Sequence, residues 1–286
     1  MSNDVTPIRI QYLDIKKQYP NAIVFFRLGD FYETFDQDAE ITSRELDIVL
    51  TSRNVAKGRR IPMAGIPYHA VENYLAKLIE KGYHVAICEQ VGEQPARGLF
   101  PREVVRVVTP GTVVEPSLLK SDRNNYLVSL VLAENEAGVA YADITTGEFY
   151  TTELKGEDIL GLLRSELMRL RPAEILLADK IELSNDFPGH LTRWPAWRFE
   201  LNRCQEALQR HFEVGSLDGY GLRGRNLSIR ASGAIVQYLS ETQKSALTLL
   251  TELSTYSLDE FMTIDAATRR NLELTETIRS GDIQGS

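Results

Sequence analysis

Apolar residues in the first third of the chain alternate between helical and strand-like spacing. The clearest helix is predicted at Val71–Glu80, because apolar residues recur there at intervals of three and four. Ala22–Leu28 is a short, continuous apolar run, which predicts a buried strand, and Gly29-Asp30 follows it as a turn. The same reasoning predicts a helix that begins at Pro7 behind a Thr6 cap and ends before Pro20, a helix at Ala39–Leu50, and strands at His84–Cys88 and Glu103–Val108.

The pattern changes after a polar stretch with prolines and a glycine between residues 110 and 125. Short strands are predicted at Tyr126–Ala133, Gly138–Asp143 and Glu148–Glu153, with connections that suit an antiparallel meander. A helix at Glu157–Leu170 and a strand at Glu174–Ala178 follow, an order typical of ribonuclease-H-like folds. Further predicted elements are helices at Arg203–Phe212, Ser228–Glu241 and Ala266–Ile278 and a strand at Phe261–Asp265.

We therefore predict an α/β protein with one mixed domain over residues 1–116 and a second, ribonuclease-H-like domain over residues 117–260. Residues 261–286 hold a predicted strand and a charged helix that has no later partner. We interpret the last residues as the cut end of a longer protein.

Composition narrows the class of protein. Hydrophobic residues make up 43% and charged residues 25% of the 286 residues, as in an ordinary globular protein. No apolar run approaches the roughly 18 residues of a membrane span, and the N-terminus does not look like a secretory signal. Cys88 and Cys204 lie far apart, so we expect two buried free thiols, no metal site and a cytoplasmic location.

The net charge of −8 is unusual for a protein that grips nucleic acid through phosphates. The charge is uneven, however, with a net of −1 over residues 1–116 and −7 over the remainder. The first third of the chain is therefore the better candidate for contact with DNA, and the acidic remainder suits a protein partner.

Two sequence patterns suggest sites but also have ordinary explanations. Residues 219–224 fit G-x-G-x-x-G, but no buried strand precedes them, which favours a plain connector over a dinucleotide site, and no P-loop motif occurs. Asp143, Glu148 and Asp179 could form an acidic metal set, as in a nuclease, but Asp143–Glu148 also reads as a hairpin turn, and we favour the turn. The four histidines form no motif with a Ser or Cys, so no catalytic residue is predicted.

Residue types alone do not decide the role of two segments of the first domain. A basic cluster of Arg53, Lys57, Arg59 and Arg60 is either a solvated loop or a phosphate-contacting loop. The stretch Gly29–Phe35 has three aromatic residues in five positions. Core packing of all three is the simpler interpretation, but a Phe at a turn tip can also act as a wedge between base pairs.

The sequence closely resembles the MutS family of DNA mismatch-recognition proteins. Long stretches match in family order, and IPMAGIPYHAVENYLAKLI is far more specific than any short motif. The matching segments are Gly29–Phe35, Ile61–Ile79, Val85–Gln90, Arg102–Thr112 and Ile264–Leu274.

The resemblance implies an N-terminal mismatch-binding domain followed by a connector domain that has a ribonuclease-H-like fold and no nuclease activity. It also implies that residues 261–286 are the start of the family's core domain, cut short here. It assigns Phe31 as the residue inserted at a mismatch in double-stranded DNA and Glu33 as the residue that contacts the mispaired base. Arg53, Tyr68 and His69 lie in matching segments that are candidates for contact with the DNA backbone.

The resemblance also implies what this chain does not carry. The ATPase that uses ATP and magnesium, and the main homodimer contacts, belong to later domains of the family, so we expect this chain to be a monomeric binding module, not an enzyme, with no cofactor. An alternative role is that of an interaction module, in which the connector docks a MutL-type partner. Source and use are expected to be bacterial, in the cytoplasm at the nucleoid.

Overall fold

The computed structural model describes residues 6–56, 59–92, 100–119, 123–183 and 187–258. The chain divides into two compact units, one of Met1–Asn124 with Leu239–Ser245 and one of Asn125–Tyr238 with Ala246–Ser286. Leu118 and Leu119 pack against the core of the first unit, two to three residues beyond the boundary predicted at 116. The elements predicted between residues 261 and 286 lie outside the described residues.

The first unit is built on one six-stranded mixed sheet. Its strand order is β3-β4-β2-β1-β5-β6, in which β1 and β5 are parallel and the other neighbours are antiparallel. The strands are β1 (Ala22–Leu28), β2 (Phe31–Phe35), β3 (Thr51–Ala56), β4 (Arg59–Pro67), β5 (His84–Gln90) and β6 (Arg102–Val108).

Helices cover both faces of this sheet. Helix α1 (Pro7–Gln18) packs on one face through Tyr12 and Ile15. Helices α2 (Asp36–Leu46) and α3 (Val71–Glu80) pack on the other. The predicted bounds of β1 and α3 are confirmed to the residue, and Gly82 adopts the expected left-handed conformation after α3 (φ 83°).

Some predictions for the first unit were wrong. Helix α2 begins and ends earlier than predicted. It ends early because Asp47 takes a left-handed conformation (φ 54°), which leaves Val49 outside the helix and 81% exposed. The basic cluster is not a loop: most of it lies in the β3–β4 hairpin, with Lys57 outside the described residues. The Thr6 side chain makes no capping hydrogen bond, although Pro7 opens α1 as expected.

The second unit has another six-stranded mixed sheet, in the order β11-β10-β7-β8-β9-β12. The first three strands form the predicted antiparallel meander, and β10 adds to β7 in parallel, as expected for a ribonuclease-H-like fold. Strands β11 and β12 were not predicted. The strands are β7 (Leu127–Leu132), β8 (Glu136–Asp143), β9 (Glu148–Lys155), β10 (Glu174–Ala178), β11 (His190–Trp194) and β12 (Ser254–Thr255).

The helices of the second unit agree with the sequence pattern to within two residues at each end. They are α4 (Ile159–Leu170), α5 (Leu201–Phe212) and α6 (Asn226–Thr242). Between α5 and α6, Gly221 and Gly224 adopt left-handed conformations in a short turn region. Since helix α5 precedes this segment, it lacks the strand that a dinucleotide fingerprint requires, and the connector interpretation fits.

Both cysteines are buried free thiols, as predicted. Burial raises the pKa of Cys88 and that of Cys204 to about 12, so both remain protonated and unreactive at neutral pH. Within the described parts of the chain, no helix is both long and apolar enough to cross a bilayer.

Candidate DNA-contact site

Strand β2 carries the three aromatic residues whose role, core packing or base insertion, the sequence did not decide. Side chains alternate across a strand, so Phe31, Glu33 and Phe35 share one face of the sheet and Tyr32 lies on the other. Phe35 and Tyr32 are buried, at 3% and 5% exposure, but Phe31 is 47% exposed. Core packing is therefore the correct interpretation for two of the three aromatics and the wrong one for Phe31.

Phe31 owes its exposure to its position beside a tight turn. Gly29 (φ 59°) and Asp30 join β1 to β2, and Phe31 is the first residue after that turn. Helix α1 covers Phe35, whose ring lies 4.9 Å from that of Tyr12, and it leaves Phe31 uncovered. The result is a large, exposed apolar ring at the turn end of the β1–β2 hairpin.

Glu33 lies on the same face as Phe31 and is held by an arginine. Arg53 Nη1 donates a hydrogen bond to Glu33 Oε2, which forms an ion pair between β3 and β2. The Glu33 side chain is 15% exposed. Burial raises the pKa of Glu33, and the positive charges of Arg53 and Arg102 oppose that rise.

Arg102 is the second cation near Glu33 and is anchored to the backbone. Its Nε donates to the carbonyl of Arg27 at 2.7 Å, and its Nη1 donates to that of Phe100 at 2.9 Å. The residue is only 8% exposed, and burial lowers the pKa of its guanidinium. Arg102 therefore acts as a fixed charge within the fold.

Tyr68 and His69 sit next to the β1–β2 turn. Tyr68 N donates to Asp30 O at 2.9 Å, which ties the short 3₁₀ helix Tyr68–Ala70 to the turn. Both side chains are exposed. The structure thus brings Phe31, Tyr68 and His69 together around one turn, and Glu33 connects Arg53 to the same hairpin.

Sequence reasoning missed one residue of this cluster. The Arg27 guanidinium carbon lies 3.9 Å from the Tyr68 ring centroid and 5.4 Å from that of Tyr32, so the cation stacks on an exposed tyrosine beside the turn. Arg27 lies in the apolar run of β1, and nothing in the local sequence pattern marks it as a site residue. The pairing becomes visible only when β1, β2 and the 3₁₀ helix are placed side by side.

Asp143 and Glu148 flank the hairpin turn between β8 and β9, as the favoured interpretation predicts. Asp143 is fully buried and accepts hydrogen bonds from the backbone of Asn125 and Thr145 and from the Thr145 hydroxyl. Glu148 accepts from the Tyr126 hydroxyl, and Asp179 accepts from a backbone amide. Over the described ranges, no group of three or more His, Cys, Asp or Glu side chains is arranged as a metal site.

The arrangement in the first unit is suited to binding rather than to covalent chemistry. It offers an exposed aromatic ring, a partly buried carboxyl and several arginines at one end of a sheet. Such groups can stack on a base, hydrogen-bond to a base edge and contact phosphates.

Comparison with known proteins identifies the family. The sequence model of MutS domain I matches residues 6–117, and that of MutS domain II matches residues 125–251. The chain belongs to the MutS family. Its two units correspond to the mismatch-binding and connector domains of that family.

Curated relatives named DNA mismatch repair protein MutS agree with this assignment. The chain is 50% identical to one from Dehalococcoides mccartyi over 286 residues, and 46% identical to one from Syntrophomonas wolfei over 292 residues. Each match covers 99% of this chain but only 33% or 34% of the relative. The chain thus spans about a third of the length of these MutS proteins.

Proposed function

We propose that this chain recognises mispaired double-stranded DNA in mismatch repair, through minor-groove insertion of Phe31 and a hydrogen bond from Glu33 to the mispaired base. The observation that carries the proposal is the exposure of Phe31 at the tip of the β1–β2 hairpin, with the Glu33 carboxyl on the same face. Membership of the MutS family supports it.

Selectivity in this mechanism comes from the mechanics of DNA. A mispaired step stacks poorly and bends easily, so the separation of its bases by a ring requires less free energy than at a paired step. A rigid hairpin that holds Phe31 in place gains stacking with a base at the mismatch and not at a matched step. The ring therefore reads deformability rather than base identity.

Glu33 adds a second source of selectivity. Because burial raises its pKa, its carboxyl takes a proton more readily than an exposed one and can then donate a hydrogen bond to a base. The ionised carboxylate repels phosphates and so weakens binding to matched duplex. We assign Arg53, Tyr68 and His69 to contacts with the DNA backbone, supported by their position around the same hairpin.

The proposal is tested with Phe31→Ala in a chain extended to the full length of its relatives. Base–aromatic stacking is worth about 1–3 kcal/mol, so affinity for a G·T duplex should fall roughly 5- to 150-fold. Affinity for the G·C parent should barely change, because no ring is inserted there. The matched control is Val49→Ala, which trims another exposed apolar side chain of the first unit and should alter neither affinity.

An equal loss of affinity on both duplexes would show that Phe31 is not a wedge. A circular-dichroism melt of the same samples shows whether the variant is unfolded, which would weaken binding to both duplexes for a different reason.

We propose a second role for the second unit, the docking of a MutL-type partner. Its strong negative charge disfavours duplex DNA and suits a protein surface. Leu160 and Met168 are 54% and 38% exposed and lie on the same side of helix α4, which offers an apolar contact. The double variant Leu160→Ser, Met168→Ser should abolish co-sedimentation with a MutL-type partner and leave mismatch affinity unchanged. Undiminished co-sedimentation would show that α4 does not dock the partner.

The remaining assignments concern the longer protein. We place ATP and magnesium binding, and the homodimer contacts, in the two thirds of a full-length relative that this chain does not span. The 286-residue chain should therefore sediment as a monomer and bind DNA weakly, and a stable dimer in sedimentation would contradict this. We place the protein in the bacterial cytoplasm, at the nucleoid.

A further inference from the structure

The carboxylate that the proposed function presents to a base is already engaged in the DNA-free protein. Arg53 Nη1 donates a hydrogen bond to Glu33 Oε2. The Arg53 side chain is 35% exposed and that of Glu33 is 15% exposed, so the pair lies at the edge of the protein surface, where a ligand can reach the arginine.

The two cations that act on Glu33 differ in their freedom to move. Arg102 is nearly buried and donates hydrogen bonds to two backbone carbonyls, which fixes it in the fold. Arg53 is more exposed and lies on β3 at one edge of the sheet. A guanidinium binds a phosphate with the same fork of donors that it offers to a carboxylate, so a DNA phosphate is a chemically equivalent partner for Arg53.

We propose that Arg53 is a positioning residue that holds the Glu33 carboxylate in free protein and exchanges it for a DNA phosphate on binding, which releases Glu33 toward the bases. This inference rests on the proposed function. In this exchange, the ion pair exists before binding and is broken in the complex, so a phosphate of any duplex must compete with Glu33 for Arg53.

The exchange predicts a specific coupling between the two residues. Glu33→Gln removes the repulsion between carboxylate and phosphates whether or not Arg53 is present. With Arg53 present, it also removes the ion pair that binding must break. The gain in duplex affinity from Glu33→Gln should therefore be larger with Arg53 than without it.

The experiment is a double-mutant cycle on a matched G·C duplex at one salt concentration, in the full-length chain. Glu33→Gln should raise affinity about 3- to 10-fold more when Arg53 is present than in an Arg53→Gln background. Arg60→Gln is the matched control, because it removes an exposed positive charge from the β3–β4 hairpin that also carries Arg53. In that background the full gain should persist. An equal or smaller gain with Arg53 present would mean that the pair survives in the complex, and would overturn the proposal.

A second measurement separates this proposal from the proposed function. In DNA-free protein, a carbon-13 NMR titration of Glu33 should show a higher pKa in Arg53→Gln, because a positive charge and a hydrogen bond to the carboxylate are lost, and Arg53→Lys should restore part of the difference. An unchanged pKa in Arg53→Gln would overturn the ion pair itself. Neither result depends on the Phe31→Ala titration, whose failure would instead remove the mismatch role.

Discussion

The β1–β2 turn of the first sheet and the β8–β9 turn of the second both join antiparallel strands and both have a carboxylate close by. Asp143 in the second sheet is fully buried and receives three hydrogen bonds, two of them from backbone amides. Glu33 in the first sheet is partly exposed and is held by the side chain of Arg53.

The difference shows how to separate a structural carboxylate from one that is open to a ligand. Backbone donors cannot move without unfolding the turn, so Asp143 is fixed where it is. A side-chain donor can change partner, so Glu33 is free to respond to a ligand that competes for Arg53. The exposed ring of Phe31 next to the β1–β2 turn adds to that contrast.

The largest expected effect comes from the contrast within β2 itself. Phe35→Ala should destabilise the protein by about 3–5 kcal/mol, because it removes a buried ring packed edge-to-face on Tyr12. Phe31→Ala should cost less than about 1 kcal/mol, because its ring is already half exposed. Urea unfolding of both variants measures this, and similar losses would place both rings in the core.

Asp143→Ala should have the next largest effect. It leaves two backbone amides and a hydroxyl without their acceptor at a fully buried position, which should destabilise the protein by about 2–4 kcal/mol. Asp143→Asn retains one acceptor oxygen and should lose less. Thermal unfolding gives the comparison, and a loss of magnesium-dependent plasmid nicking without a loss of stability would instead support a nuclease site.

Glu33→Gln should have the smallest effect on stability, and that effect should depend on pH. Burial raises the pKa of Glu33 above its ordinary value of 4.5, so its ionised form is the less stable one in the fold. The stability that Glu33 contributes is present below about pH 4.5 and is lost as pH rises through the folded-state pKa. Thermal melts between about pH 4 and pH 8 should show the stability of the variant rising relative to that of the parent as pH rises. A variant that loses stability relative to the parent over this range would contradict the prediction.

Elements with strong local signals were predictable from sequence. The bounds of β1, α3 and β10 agree to the residue, because each is a continuous apolar run or a regular helical stripe. Strand β3 was missed, because it is polar and lies at the edge of the sheet, where an apolar face is not required.

The candidate site was only partly predictable, for a different reason. Alternation along β2 places Phe31 and Phe35 on one face, but only the packed position of α1 decides which ring is covered. The Arg53–Glu33 pair joins residues twenty positions apart on strands that β4 separates, and no local pattern reports such a contact.

One paired titration tests whether Phe31 creates mismatch selectivity by strengthening G·T binding and Glu33 by weakening G·C binding. The ratio of G·C to G·T dissociation constants is measured for the full-length parent, Phe31→Ala and Glu33→Gln at a fixed salt concentration. Both variants should lower the ratio, Phe31→Ala by weaker G·T binding and Glu33→Gln by tighter G·C binding. A ratio that stays at the parent value in both variants, or that falls in both through G·T binding alone, would contradict this prediction.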